Sequence, residues 1–203
     1  MDSQPGSGVD DPAFVTQCRF LAVQPHMRTN HMKIRQLAPA ILCCFLLPGP
    51  AIADDKFEAE TAKEAEAIKL ARDTQAGAYQ LLTAAELKKM LDEGKPMVLV
   101  DTMPYDASYR KEHLPGAKQF LFPIARMSAW DTKETDGRTE ADFTALLGAD
   151  KDKPVVVYCG FVKCTRSDNA AAWARKLGYT QVYRFPGGLF AWKGAGFPLE
   201  AVK

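Results

Sequence analysis

Two short unbroken apolar runs stand out in the chain, Met97-Val98-Leu99-Val100 after Pro96 and Val155-Val156-Val157-Tyr158 after Pro154. Apolar runs of this length, bounded by turn signals, read as strands buried on both faces. Asp101 stands at the end of the first and Cys159 at the end of the second. Phe120–Phe122 and Gln181–Phe185 are expected as further strands. Between these segments the spacing turns helical. Thr83-Ala84-Ala85-Glu86 forms a capping box before Leu87, Met90 and Leu91, and Gly94 closes that helix. Short helices are expected around Asp106–Lys111 and near Ala141–Leu147. Ala170, Trp173, Ala174 and Leu177 recur at i, i+3, i+4, i+7 and mark a buried helical face, with Ser167 as its cap and Gly178 as its stop. Pro186-Gly187-Gly188 turns into a last helix whose Trp192 belongs to the core. Residues 55–76 favour helix by propensity, but their apolar stripe of Phe57, Ala65 and Ile68 is thin. They read as a helix lying on the domain or as a solvated lead-in, ended by Gly77. Strands alternating with helices predict an α/β fold with a mainly parallel central sheet flanked by helices.

A different pattern precedes this. Residues 32–53 read MKIRQLAPAILCCFLLPGPAIA. Lys33 and Arg35 make a basic start, and Leu37 to Leu47 is an apolar stretch too short to span a bilayer as a helix. Pro48, Gly49 and Pro50 break it, and Ala51-Ile52-Ala53 supplies the small residues of a cleavage site. A signal peptide cut after Ala53 is expected, giving a periplasmic or secreted protein with no stable membrane anchor after cleavage. A lipoprotein site is excluded because Leu42 precedes Cys43 where a small residue is required. Residues 1–31 read as an over-extended, disordered start, with translation beginning at Met27 or Met32. The chain then divides into that start, the signal at 32–53, a helical lead-in at 54–79 and one domain at 80–203.

Composition narrows the function. The chain is 47% apolar and 25% charged, which excludes collagen-like, coiled-coil and wholly disordered classes. Lys and Arg number 26 against 25 Asp and Glu, so no electrostatic case exists for nucleic acid or an anionic membrane surface. Four of the basic and three of the acidic residues precede Asp54, which leaves the remainder neutral. Beyond residue 53 the thiols are Cys159 and Cys164 and the single imidazole is His113. That set cannot complete a four-ligand zinc site without carboxylates, so neither a metal nor another cofactor is expected.

The chemistry is expected in the loop that follows the second apolar run, Cys159-Gly160-Phe161-Val162-Lys163-Cys164-Thr165-Arg166. Ligands bind outside the carboxyl ends of parallel strands. Successive loop amides can form an anion nest, and the following helix adds partial positive charge. Both favour a thiolate. Cys159 is therefore placed as the nucleophile. The loop residues Gly160, Phe161, Val162, Lys163, Cys164, Thr165 and Arg166 are its substrate-binding wall, with Lys163 and Arg166 offering cations to an anionic substrate. Cys164 is a candidate resolving thiol. Taken alone, a strand-end cysteine is also compatible with plain packing as a small hydrophobe.

Residues 80–200 resemble a rhodanese-like domain, the family of single-cysteine sulfurtransferases. The matching pieces are Val98-Leu99-Val100-Asp101, Glu112-His113-Leu114-Pro115-Gly116-Ala117 and Val155-Val156-Val157-Tyr158-Cys159. Arg166-Ser167 before Ala170-Ala171, Leu177-Gly178-Tyr179, Val182-Tyr183, Pro186-Gly187-Gly188, Ala191-Trp192 and Gly196-Phe197-Pro198 follow in family order. The resemblance implies a rhodanese-like fold, a persulfide on Cys159 held by loop amides, and structural roles for Asp101 and His113. It implies transfer of a sulfane sulfur from thiosulfate, polysulfide or a persulfide to a thiophilic acceptor, the partner being a small sulfur-containing anion or a protein thiol. Two features depart from the family. Its loop usually places arginine five positions after the cysteine, whereas Arg166 is seven after Cys159, and Met103 stands where the family commonly has arginine. Cysteine phosphatases, which need five residues between cysteine and arginine, are disfavoured by the six found here. A non-catalytic rhodanese-like binding module, and a periplasmic thiol–disulfide or arsenate-type reductase using Cys159 and Cys164, are the competing readings.

Overall fold

A computed structural model describes residues 55–202. The expected start at 1–31, the signal at 32–53 and Cys18, Cys43 and Cys44 lie outside the described residues. The lead-in forms helix α1 (Asp55–Gly77). It is followed by strand β1 (Gln80–Leu81), helix α2 (Ala84–Asp92) and strand β2 (Val98–Asp101). After strand β3 (Lys118–Gln119) come helix α3 (Glu140–Leu147), strand β4 (Val155–Tyr158) and helix α4 (Arg166–Lys176). Strand β5 (Val182–Phe185) and helix α5 (Gly188–Gly194) complete the order. The strands pair in the order β1-β5-β4-β2-β3, all parallel, with Val100 opposite Val157 and Val157 opposite Arg184.

The period of two along each strand sorts the core into two layers. Val98, Val100, Val155, Val157 and Val182 face Ala170, Trp173 and Ala174 of α4 and Phe143 and Leu147 of α3. Leu99, Val156, Tyr158 and Phe185 face Leu87 of α2 and Leu189 and Trp192 of α5. Every residue of β2 and β4 is buried, as their unbroken apolar runs require. Helix α1 packs on α4, where Tyr79 and Ala172 crowd Gly77. The Thr83 capping box of α2 forms in both directions, Thr83 N–H donating to Glu86 Oε2 at 2.8 Å and Glu86 N–H to Thr83 Oγ1 at 3.3 Å.

Three expected elements differ. The segment Asp106–Lys111 is a single π-turn at Tyr105–Tyr109. The strand expected at Phe120–Phe122 pairs earlier, at Lys118–Gln119. Beyond it the chain stays extended, with Phe120 N–H donating to Asp101 O at 2.9 Å. Both phenylalanines turn into an aromatic cluster with Trp130 and Phe143, edge to face at 4.9–6.0 Å. Finally, α4 starts at Arg166 with Thr165 at its cap and no side-chain capping bond, because the Ser167 hydroxyl is used elsewhere.

Candidate active site

The loop expected to carry the chemistry leaves the sheet at the C-terminal end of β4 and enters α4. Its exit is fixed from below by α5, whose Leu189 and Phe190 amides donate to the carbonyls of Cys159 and Gly160, both at 2.9 Å. Gly188 permits this approach. Its φ is +53°, and a Cβ there would lie 1.9 Å from Cys159 O.

Cys159 is fully buried and Cys164 is 8% exposed, so both lie within the base of the loop. Cys159 Sγ lies 3.2 Å from Cys164 O, 3.8 Å from Phe161 O and 3.2 Å from Ser167 Oγ. Burial pushes its pKa well above the ordinary thiol range, and its hydrogen bond to the Cys164 sulfur adds to this. Cys164 moves the other way. The hydrogen bond from Cys159, the Arg166 and Gly160 amides and the Arg166 charge together outweigh its burial and favour the thiolate.

Arg184 organises this base. It is 1% exposed, in the middle of β5 on the α4 side of the sheet. Its Nε donates to Ser167 Oγ at 3.0 Å, one Nη to Cys164 O at 3.0 Å and the other to Tyr79 Oη at 3.3 Å. Tyr79 in turn donates to Asp168 Oδ1 at 2.8 Å. Burial raises the Tyr79 hydroxyl to about 12, so it stays a donor. None of Tyr79, Ser167, Asp168 or Arg184 was expected at the site from the sequence. The one readable signal was Arg184, a charge inside an otherwise apolar strand, which must find buried partners.

The remaining loop residues take separate positions. Gly160 is buried beside Met103, whose methyl would lie 3.7 Å from a Cβ at that glycine. Phe161 and Val162 are exposed, and the Phe161 ring lies 5.5 Å from that of Phe190. Lys163 pairs with Glu66 of α1 at 2.8 Å. Thr165 donates to the Ile124 carbonyl and Arg166 to the Phe122 carbonyl. A cavity of about 380 Å³ lies between α1 and the loop, walled by Ala62, Ala65 and Leu70 on one side and Val162 and Lys163 on the other, with Arg184 in its lining. Asp101 and His113 stand apart. Asp101 Oδ1 accepts from Met103 N–H at 2.8 Å, and His113 Nδ1 pairs with Tyr109 O at 2.8 Å. Among the described residues no group of His, Cys, Asp and Glu is arranged to hold a metal ion.

Such a site can hold one thiol ionised and a second thiol beside it, at the end of a parallel sheet. The family model described as Rhodanese-like domain matches residues 83–195. A tRNA uridine(34) hydroxylase from Erwinia tasmaniensis is 36% identical over 114 residues, 56% of this chain and 27% of that protein, so the chain spans about a quarter of that relative's length. Among solved structures, a thiosulfate sulfurtransferase from Pseudomonas aeruginosa is 22% identical, covers 64% of this chain and 22% of its own, and has a TM-score of 0.49. A polysulfide-sulfur transferase homodimer from Wolinella succinogenes is 22% identical over 73% of this chain and 94% of its own, with a TM-score of 0.46.

Proposed function

We propose that this chain, which belongs to the rhodanese-like domain family, is a sulfurtransferase that carries a sulfane sulfur as a cysteine persulfide on the loop 159–166. The observation that carries the reading is the placement of two cysteines in one loop at the C-terminal end of β4, with Cys159 Sγ 3.2 Å from Cys164 O and the loop's exit held by the α5 amides. A thiolate attacks the outer sulfur of thiosulfate, polysulfide or a persulfide. The S–S bond of the donor breaks, and its remaining part leaves as sulfite, a shorter polysulfide or a thiolate. The bound sulfur then passes to a nucleophilic acceptor, giving a two-step scheme. Arg166 and Lys163 are the cations within the loop that favour an anionic donor, and the cavity against α1 gives the acceptor a place beside it.

The test is turnover of thiosulfate to sulfite with a thiol or cyanide as acceptor. Wild type is expected to show parallel lines in a two-substrate plot. The double variant Cys159→Ser/Cys164→Ser is expected to lose turnover while keeping its circular dichroism. Undiminished sulfite release by that variant would defeat the reading. A thiol–disulfide reductase reading draws on the same two cysteines, five positions apart in one loop, with Cys159 Sγ 3.2 Å from Cys164 O.

A further inference from the structure

The two thiols differ in their partners: carbonyl oxygens crowd the sulfur of Cys159 alone. Around Cys159 Sγ stand two carbonyl oxygens, Cys164 O at 3.2 Å and Phe161 O at 3.8 Å, together with the hydroxyl of Ser167 at 3.2 Å and its amide. A carbonyl can only accept, so Cys159 keeps its proton there, and an anion at that point would face the lone pairs of both oxygens. Arg184 holds this geometry, since it donates to Cys164 O and to Ser167 Oγ, the third neighbour of Cys159. Beside Cys164 stand the amides of Gly160 and Arg166 and the Arg166 charge. Cys159 is 0% exposed and Cys164 8% exposed, which makes Cys164 the outer residue of the pair.

We infer that Cys164 is the thiol that takes the sulfur from the donor, and that Cys159 is the inner thiol that resolves the resulting persulfide. The inference rests on the sulfur-transfer reading above and assigns its atoms. Cys164 thiolate attacks the outer sulfur of thiosulfate, the S–S bond breaks, and sulfite leaves with the electron pair, giving a Cys164 persulfide anion. Cys159 Sγ then attacks Cys164 Sγ. The persulfide bond breaks, the terminal sulfur leaves with that electron pair and the Cys159 proton as hydrosulfide, and a Cys159–Cys164 disulfide remains. The loop dithiol is oxidised by two electrons and the sulfane sulfur is reduced to sulfide. A dithiol reductant, small or protein-borne, reopens the disulfide for a second cycle. Where a competing acceptor thiol reaches the persulfide first, sulfur is transferred and no disulfide forms.

The experiment reacts reduced wild type, Cys159→Ser and Cys164→Ser with one equivalent of thiosulfate or polysulfide, without reductant. Intact mass, peptide mapping after acid quench and released sulfide are read. Cys159→Ser is expected to hold one extra sulfur on Cys164, which it cannot resolve. Wild type is expected to release one sulfide per chain and to end with the loop disulfide. Cys164→Ser is expected to take up sulfur about tenfold more slowly or worse. Sulfur mapped to Cys159 in wild type, uptake by Cys164→Ser at the wild-type rate, or a wild-type persulfide that persists without sulfide release, overturns the assignment alone. No sulfur uptake by wild type or Cys159→Ser with either donor overturns the transferase reading and the assignment with it. Should Cys164→Ser fail to fold, limited alkylation of native wild type with iodoacetamide decides the order: Cys164 is expected to react first, and first reaction at Cys159 overturns the assignment.

Discussion

Asp101 ends β2 fully buried, with Oδ1 bound to the Met103 amide and Oδ2 left without a hydrogen bond. Burial lifts its pKa to about 6, against the opposing pull of the Met103 amide. Between pH 3.8 and about 6 the folded protein therefore holds a proton that the unfolded chain has released. Stability contributed by this group is full below that window and is lost as pH rises through it. Asp101→Asn removes the titration and keeps the oxygen that accepts from Met103. Its stability relative to wild type is expected to be greater at about pH 8 than at about pH 4, by on the order of 2–3 kcal/mol at most. Urea unfolding at the two pH values measures this, and an equal difference at both would show that the carboxyl is not protonated in the fold. Single residues were also where the sequence was least readable. Cys159, Cys164 and Arg166 were visible as a loop of chemical groups, but the carbonyl oxygens that crowd Cys159 are placed by the loop backbone. Ser167 looked like a helix cap and is instead a ligand of Arg184, because the buried guanidinium needs acceptors that only tertiary contact supplies.

Elements defined by a local pattern were legible. The apolar runs at β2 and β4, the Thr83 box and the spacing along α4 depend on neighbours within a few residues, and each lies where its pattern placed it. The strands β1 and β3 are two residues long, too short for any period, and exist only because β5 and β2 offer edges to them. The turn into α5 is the element with the most direct hold on the site. Gly188→Ala must place a methyl against Cys159 O and adopt a left-handed backbone, which alone costs roughly 1–2 kcal/mol. It is expected to lower the urea midpoint and to cut sulfur uptake more than a comparably destabilising change far from the loop, such as Thr83→Ala, whose loss of a cap costs about 1 kcal/mol. Equal uptake in the two variants would show that α5 does not fix the loop.

At the scale of the molecule, α1 lies outside the family match at residues 83–195, yet it closes one side of the cavity against Val162 and Lys163 of the loop. The sequence left open whether it lies on the domain or in solvent, because its apolar stripe is thin. The ion pair Lys163–Glu66 and the packing of Gly77 against Tyr79 and Ala172 are what hold it. Glu66 also neutralises the cation nearest the exposed part of the loop. Glu66→Gln is expected to lower KM for thiosulfate while leaving KM for an uncharged trisulfide donor unchanged. Lys163 is 64% exposed, so the effect is at most about fivefold. A rise in KM for both donors would mean that the pair serves to position α1 instead. The central claim, that the two-thiol loop receives a sulfane sulfur, is tested most directly with thiosulfate isotopically labelled in its outer sulfur, given once to the reduced wild-type protein. The label is predicted to leave thiosulfate and to be recovered as protein-bound sulfane sulfur or released sulfide, with unlabelled sulfite formed in equal amount; label that remains in thiosulfate, with no sulfite, would contradict it.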